Sequence, residues 1–277
     1  MAINQGCWYS RLVTFVSELA IQRPKTARTS LMHSVSRRPF SARSFALVTL
    51  MALVASAIAI AALARWTDID LWLANLYYDP VRRVFPWYET WFARDFMHGY
   101  LKNVIVWFGF LTIAATLIDL AYPLFRKSPL HRLQWRYVAL ASVLEPLLVR
   151  SLKESSNLHC PAGIDLYGGH VPLLRLFDAV PPHWRAGHCF PAGHASAGMW
   201  LSALAIFWLP VHPRKALAVF VAGLSVGLTM GWVQQMRGMH FLTHTLATAW
   251  LSTALLFVML VLFWKPLNAA TTPRTPQ

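Results

Sequence analysis

Charge is scarce in this chain, and negative charge is scarcest. Only 13% of its 277 residues are Asp, Glu, Lys or Arg, about half the share of a soluble domain. Eleven acids face 25 Lys and Arg. Three cysteines are too few for a disulfide-built scaffold. There is no HExxH, and no acid at ligand spacing accompanies the histidines, so no metal is expected. The absence of an internal repeat argues against a repeat architecture and against the repeated halves of many transporters. The first apolar block lies too far from the N-terminus, and lacks the cleavage site, for a removable leader.

What fills the space is hydrophobic. The chain is 56% hydrophobic with 13 Trp, and the apolar residues come in blocks. Six stretches approach the ~20 residues that cross a hydrocarbon core: roughly 45–64, 104–124, 137–152, 195–209, 216–233 and 245–263. The third and fourth are short and borrow from flanking loops. The expectation is an all-α polytopic membrane protein of six helices. Residues 1–44 then form a basic cytoplasmic tail, 45–265 the membrane domain and 266–277 a disordered cytoplasmic tail. Met32 opens a basic lead into the first helix, and residues 1–31 are assigned no role.

The net charge of +14 would suggest nucleic acid in a soluble protein. Its distribution says otherwise. Arg11, Arg23, Lys25, Arg28, Arg37, Arg38 and Arg43 precede the first block; Arg126, Lys127, Arg132 and Arg136 follow the second; Arg214 and Lys215 follow the fourth. Eight acids (Asp68, Asp70, Asp79, Glu89, Asp95, Glu154, Asp165 and Asp178) fall in the intervening loops. This is the positive-inside asymmetry, with both termini cytoplasmic and no nucleic-acid partner. The segment 65–102 alternates aromatics with charges. It reads equally as an interfacial aromatic belt and as a place of headgroup recognition.

Three short segments carry the chemistry, all on the outer side: 153–161 (KESSNLHCP), 190–197 (FPAGHASA) and 237–244 (RGMHFLTH). Seven of the eleven histidines, His159, His170, His183, His188, His194, His240 and His244, lie on the outer side between 159 and 244. Histidine suits proton transfer near neutral pH. Pro191 opens a helix whose first N–H groups, around Ala192 and Gly193, favour an anion. His240 and His244 are four apart and share a face if helical, with Arg237 one turn earlier. Glu145 and Asp119 are ionisable residues inside apolar stretches. Glu145 reads either as a carboxylate for the histidines or as an acid hydrogen-bonded between helices.

Lys153…Cys160-Pro161, Pro191-Ala192-Gly193-His194 and His240-x3-His244, in that order and spacing, resemble the three motifs of the type 2 phosphatidic acid phosphatase superfamily. The six-helix layout extends the likeness to about 45–265. The resemblance implies a metal-independent, cofactor-free phosphomonoesterase of membrane lipids. It implies that His240 is the nucleophile, forming a phosphohistidine, and that His194 is the general acid. Lys153, Arg237 and the N–H groups of Ala192 and Gly193 would hold the phosphate, with His244 orienting His240. The substrate would be a lipid phosphate such as phosphatidylglycerophosphate, polyprenyl pyrophosphate, phosphatidic acid or lipid A. The site would face the periplasm from a bacterial inner membrane. A second register makes His244 the nucleophile.

The departures are specific. Cys160 replaces the family's arginine, and Val233-Gln234 its Ser-Arg pair. Arg237 is taken as the replacement one turn on. His244 stands at the final aspartate. Cys160 and Cys189 are read either as a disulfide tying the first segment to the second or as free thiols. Three rival functions remain: a lipid phosphotransferase of the same fold, an anion transporter and a catalytically dead scaffold. Nothing in the sequence gives the oligomeric state.

Overall fold

The computed structural model describes residues 42–122, 128–181 and 183–271. The expectations for the N-terminal tail and for the chain's last six residues lie outside them. The described residues are helical, without a strand: α1 (Ala42–Trp66), α2 (Ile69–Asn75), α3 (Lys102–Ala121), α4 (Pro129–Glu154), α5 (Gly193–Met199), α6 (Pro213–Met236) and α7 (Leu242–Thr271). A π-helical segment, Phe92–Leu101, leads into α3, and α5 continues as a 3₁₀ segment, Trp200–Trp208.

Four stretches are long and apolar enough to cross a membrane: Arg43–Trp66, Phe92–Ala121, Pro213–Met236 and Leu242–Thr271. The expected six are thus reduced to four on length and composition. The other two stretches are also helical and packed in the bundle. α4 carries Arg132, Arg136, Glu145, Arg150, Lys153 and Glu154 along its 26 residues. The sixteen residues of Gly193–Trp208 are few for a span. Nine of them are 3₁₀, however, and the wider rise per residue extends the segment to about 28 Å. α7 runs through Pro266 to Thr271, past the expected end at Lys265.

Small residues set the helix packing around the site. A methyl group added at Gly223 would lie 2.4 Å from the Ser202 nitrogen, and one at Gly227 2.7 Å from the Ala195 carbonyl. α6 therefore lies directly on α5 and its extension, backbone against backbone. The core below the site is Tyr137, Val138, Ala141, Trp200, Ala203, Ile206, Met230, Val233, Leu256 and Met259. Several polar groups inside it bond across helices. The Tyr137 hydroxyl donates to the Leu256 carbonyl (2.7 Å), and the Gln134 amide to the Ile206 carbonyl (3.0 Å). The Ser252 hydroxyl donates to Glu145 Oε1 (2.6 Å). Glu145 is therefore bonded between helices, eight residues and about 12 Å of helix below Lys153, rather than beside the histidines. Asp119 accepts from Arg132 Nε at 2.9 Å.

By contrast α1 buries 6% of its apolar window and exposes Leu47, Val48, Leu50, Met51, Val54 and Ile58. Its Leu53 carbonyl accepts from the Trp250 indole of α7 at 2.8 Å.

Candidate active site

The three segments meet above this core and are joined by backbone hydrogen bonds. Residues 156–158 pair with 187–189: Gly187, His188 and Cys189 N–H donate to the Asn157, Ser156 and Leu158 carbonyls at 3.2, 3.1 and 3.0 Å. Only glycine fits at 187, where a methyl would lie 2.5 Å from the Leu158 carbonyl. Cys160 and Cys189 are disulfide-bonded, with Cα atoms 5.3 Å apart. The Ala162 N–H donates to the Gly238 carbonyl (2.9 Å), and the Ala192 N–H to the His244 carbonyl (3.2 Å). First, second and third segments are thus one connected surface.

α6 ends in a Schellman arrangement. The Gly238 N–H donates to the Gln235 carbonyl (2.9 Å) and the Met239 N–H to the Gln234 carbonyl (2.8 Å), with Gly238 left-handed at φ +68°. This stop aims Arg237 and His240 at the second segment. A methyl at Gly238 would also lie 2.4 Å from the Phe85 ring. Gly238→Ala should therefore cost about 1–3 kcal/mol in backbone strain alone and displace His240. A lower melting temperature together with lost turnover would check it; a stable, active variant would contradict the packing. The start of α7 is held by Asp70 of α2, which accepts from the Thr243 N–H at 2.9 Å and from the Thr243 hydroxyl.

Within this frame His240 and His244 are both buried, their rings 5.9 Å apart. His240 Nδ1 lies 3.5 Å from the Cys189 sulfur, which also touches the Met239 carbonyl at 3.1 Å. His244 is boxed edge-on between Phe190 and Phe241 (5.4 and 5.5 Å), and its Nδ1 is buried without a hydrogen-bond partner among the described residues. His194, in the first turn of α5, stacks on His98 of the π-helical segment, with ring centroids 4.0 Å apart and planes at 32°. Lys153, at the end of α4, brings Nζ to 3.7 Å from where a Gly193 side chain would begin. Arg237 is buried; its Nε donates to the Tyr88 carbonyl (3.1 Å), and its guanidinium lies over the Tyr88 ring.

The Ala192 N–H is committed to His244, so it drops out as an anion contact. His159, His170, His183 and His188 do not join the cluster; His183, for example, packs on Trp184. His98 and Lys102 were missed in the sequence, where only their four-residue spacing in an aromatic stretch marked them.

The electrostatics are one-sided. Among the described residues no carboxylate lies within ion-pair distance of Lys102, Lys153 or Arg237. Burial is the main cause that pushes the His240 imidazole well below its usual range, aided by His244, Lys153 and His194. Burial likewise takes His194 down to about 3, with His98, Lys102, Lys153 and Arg237 adding to it. Burial also lowers Lys153. Half-buried and buried cations with no counter-charge are costly, and an anion bound among them relieves that cost.

A stability prediction follows from these signs. Both imidazoles are neutral when folded, while in the unfolded chain they protonate below about 6.5. Their contribution is nil above that pH and turns destabilising as pH falls toward the folded values. For buried His240 the slope is up to about 1.4 kcal/mol per pH unit. The melting temperature in detergent should fall between pH 7 and 5, and His240→Asn should flatten that fall. An unchanged slope in this variant would contradict the assignment.

Residues 134–267 match the family model of the PAP2 superfamily. No curated protein and no solved structure matches the chain. The superfamily is generally one of phosphatases acting on phosphorylated substrates. This segment, which holds Lys153, Gly193, His194, Arg237, His240 and His244, belongs to the PAP2 superfamily.

Proposed function

We propose that the protein is a membrane lipid phosphatase, removing a phosphate monoester or pyrophosphate from an amphiphilic lipid through a phosphohistidine, without a metal. All six long helical segments cross the bilayer in this reading. The charge asymmetry of the loops supports a site at the outer, periplasmic face of a bacterial inner membrane in this reading.

The observation that carries the lipid is a cleft of about 380 Å³ whose lining includes Lys153 and Gly193, the residue before His194. Arg150 also borders it, and Val106, Phe110, Ile113 and Trp200 give it apolar walls. A phosphate held by the cations would leave its hydrocarbon in this apolar groove between α3, α4 and α5.

The steps use the residues as placed. His240 Nδ1 faces the disulfide, which leaves the Nε2 lone pair for attack on phosphorus. The bond from phosphorus to the lipid oxygen breaks as His194 gives that oxygen a proton. His194, now neutral, takes a proton from water. The water oxygen attacks phosphorus, the P–N bond breaks, and inorganic phosphate leaves with His240 restored. Lys153, Arg237 and the Gly193 N–H carry the charge that spreads over the phosphoryl oxygens. His244 supports His240 by packing and proximity.

The test is phosphate release by purified protein in detergent, with EDTA. The substrates are phosphatidic acid, phosphatidylglycerophosphate, undecaprenyl pyrophosphate and lipid A. Release from one of them that survives EDTA and is lost in His194→Ala supports the reading and names the lipid. Release that needs an added divalent ion overturns the metal-free mechanism. Phosphate passed to a lipid alcohol instead of water makes the protein a phosphotransferase.

A further inference from the structure

We infer that His98 and Lys102, which precede the matched segment, are positioning residues for His194: His98 holds the ring by stacking, and Lys102 helps make its protonation depend on a bound phosphate. This rests on the proposed function above.

The geometry is direct. The His98 ring lies 4.0 Å from that of His194, nearly parallel. It comes from the π-helical turn Phe92–Leu101, and such turns re-aim side chains and are frequent at functional sites. Lys102 begins α3 four residues on, close to one turn, and so projects from the same side. Both are half-buried. The family's motifs begin at Lys153, so this pair is an addition from outside them.

The charges facing His194 come from every neighbouring element. His98 and Lys102 approach from the start of α3, Lys153 from the end of α4 and Arg237 from the end of α6. His240 couples from the loop before α7. None of these facing groups is an acid. Glu89 and Asp95 act on Arg237, from further off. In the empty site every neighbour opposes a proton on His194. A phosphate dianion among the same cations reverses the balance, so the acid is charged when a leaving group is present to receive the proton. Two stacked imidazoles cannot both be charged cheaply, so a neutral His98 goes with a protonated His194.

The stack and the charge are read separately, the first by kcat across the His98 variants and the second by the pH profile. Dioctanoyl phosphatidic acid turnover would be followed from pH 5 to 9 for wild type, His98→Phe, His98→Ala and Lys102→Met. Lys102→Met should move the alkaline limb of kcat, which reports the acid with substrate bound, up by about half a unit, because the donor stays protonated longer. His98→Phe keeps the stack and removes only a neutral ring, so it should leave that limb and most of kcat in place, whereas His98→Ala loses the stack and roughly tenfold in kcat. Loss of kcat in all three variants with the limb unmoved would overturn the proposal and leave the phosphatase standing.

Calorimetry of inorganic phosphate at pH 8, in buffers of different ionisation enthalpy, reads proton uptake without turnover. Uptake in the wild type that is reduced in Lys102→Met supports the coupling. Equal uptake in both overturns it. Absence of phosphate binding at any concentration overturns the proposed function and this inference together.

Discussion

His240→Ala should abolish phosphate release, by about 10⁴-fold or more, because in the proposed mechanism His240 forms the covalent bond to phosphorus. His244→Ala should be milder, roughly 10- to 100-fold. The geometry separates the two. His240 closes the loop after Gly238, with Lys153 and His194 both acting on it. His244 lies in the first turn of α7, walled by Phe190 and Phe241, and its backbone carbonyl is taken by Ala192. Trapping labelled phosphate on acid-quenched protein and mapping the modified residue decides the matter. Label on His240 agrees with the assignment; label on His244 with His240→Ala still active would move the nucleophile by one turn.

The second large effect belongs to the disulfide. Cys160 and Cys189 close a loop of 29 residues, and constraining that loop in the unfolded chain contributes about 3–4 kcal/mol. The Cys189 sulfur also touches the His240 ring and the Met239 carbonyl, so the bridge supports the proposed nucleophile as well as the fold. Cys160→Ala/Cys189→Ala should lower the melting temperature by several degrees and cut turnover at least tenfold. Reductant should do the same to the wild type and nothing more to the double variant. Mass mapping with and without reduction ties the effect to the bond. Two free thiols in active protein from oxidised membranes would contradict the bond outright.

Much of this site was legible because its chemistry is local. Lys153, His194 and His240 sit in short runs whose residue types announce an anion site, and the apolar blocks marked α1, α3, α6 and α7. α4 was harder to read as a helix end to end, since Pro146 and six charges interrupt its pattern. The role of 65–102 was not legible, because it is wholly long-range. That stretch was read as an interfacial belt or a headgroup reader. It folds over the site instead: Phe85 against Gly238, Tyr88 against Arg237, Asp70 against Thr243 and His98 against His194. No spacing within 65–102 encodes partners more than 90 residues away. Arg237 was expected to replace a missing arginine; its Nε is spent on Tyr88, while its charge still reaches His98 and His194.

The cross-links among the three segments also limit how the protein chooses a substrate. Asn157 is bonded to Gly187, Ala162 to Gly238, Ala192 to His244 and Cys160 to Cys189, so none of these loops can swing open alone. A site fastened this way does not assemble around its ligand. For the proposed lipid substrate, discrimination then falls on the path of approach: it would slide in sideways along the cleft past Phe110 and Trp200, tail and head already in register, rather than be captured and enclosed.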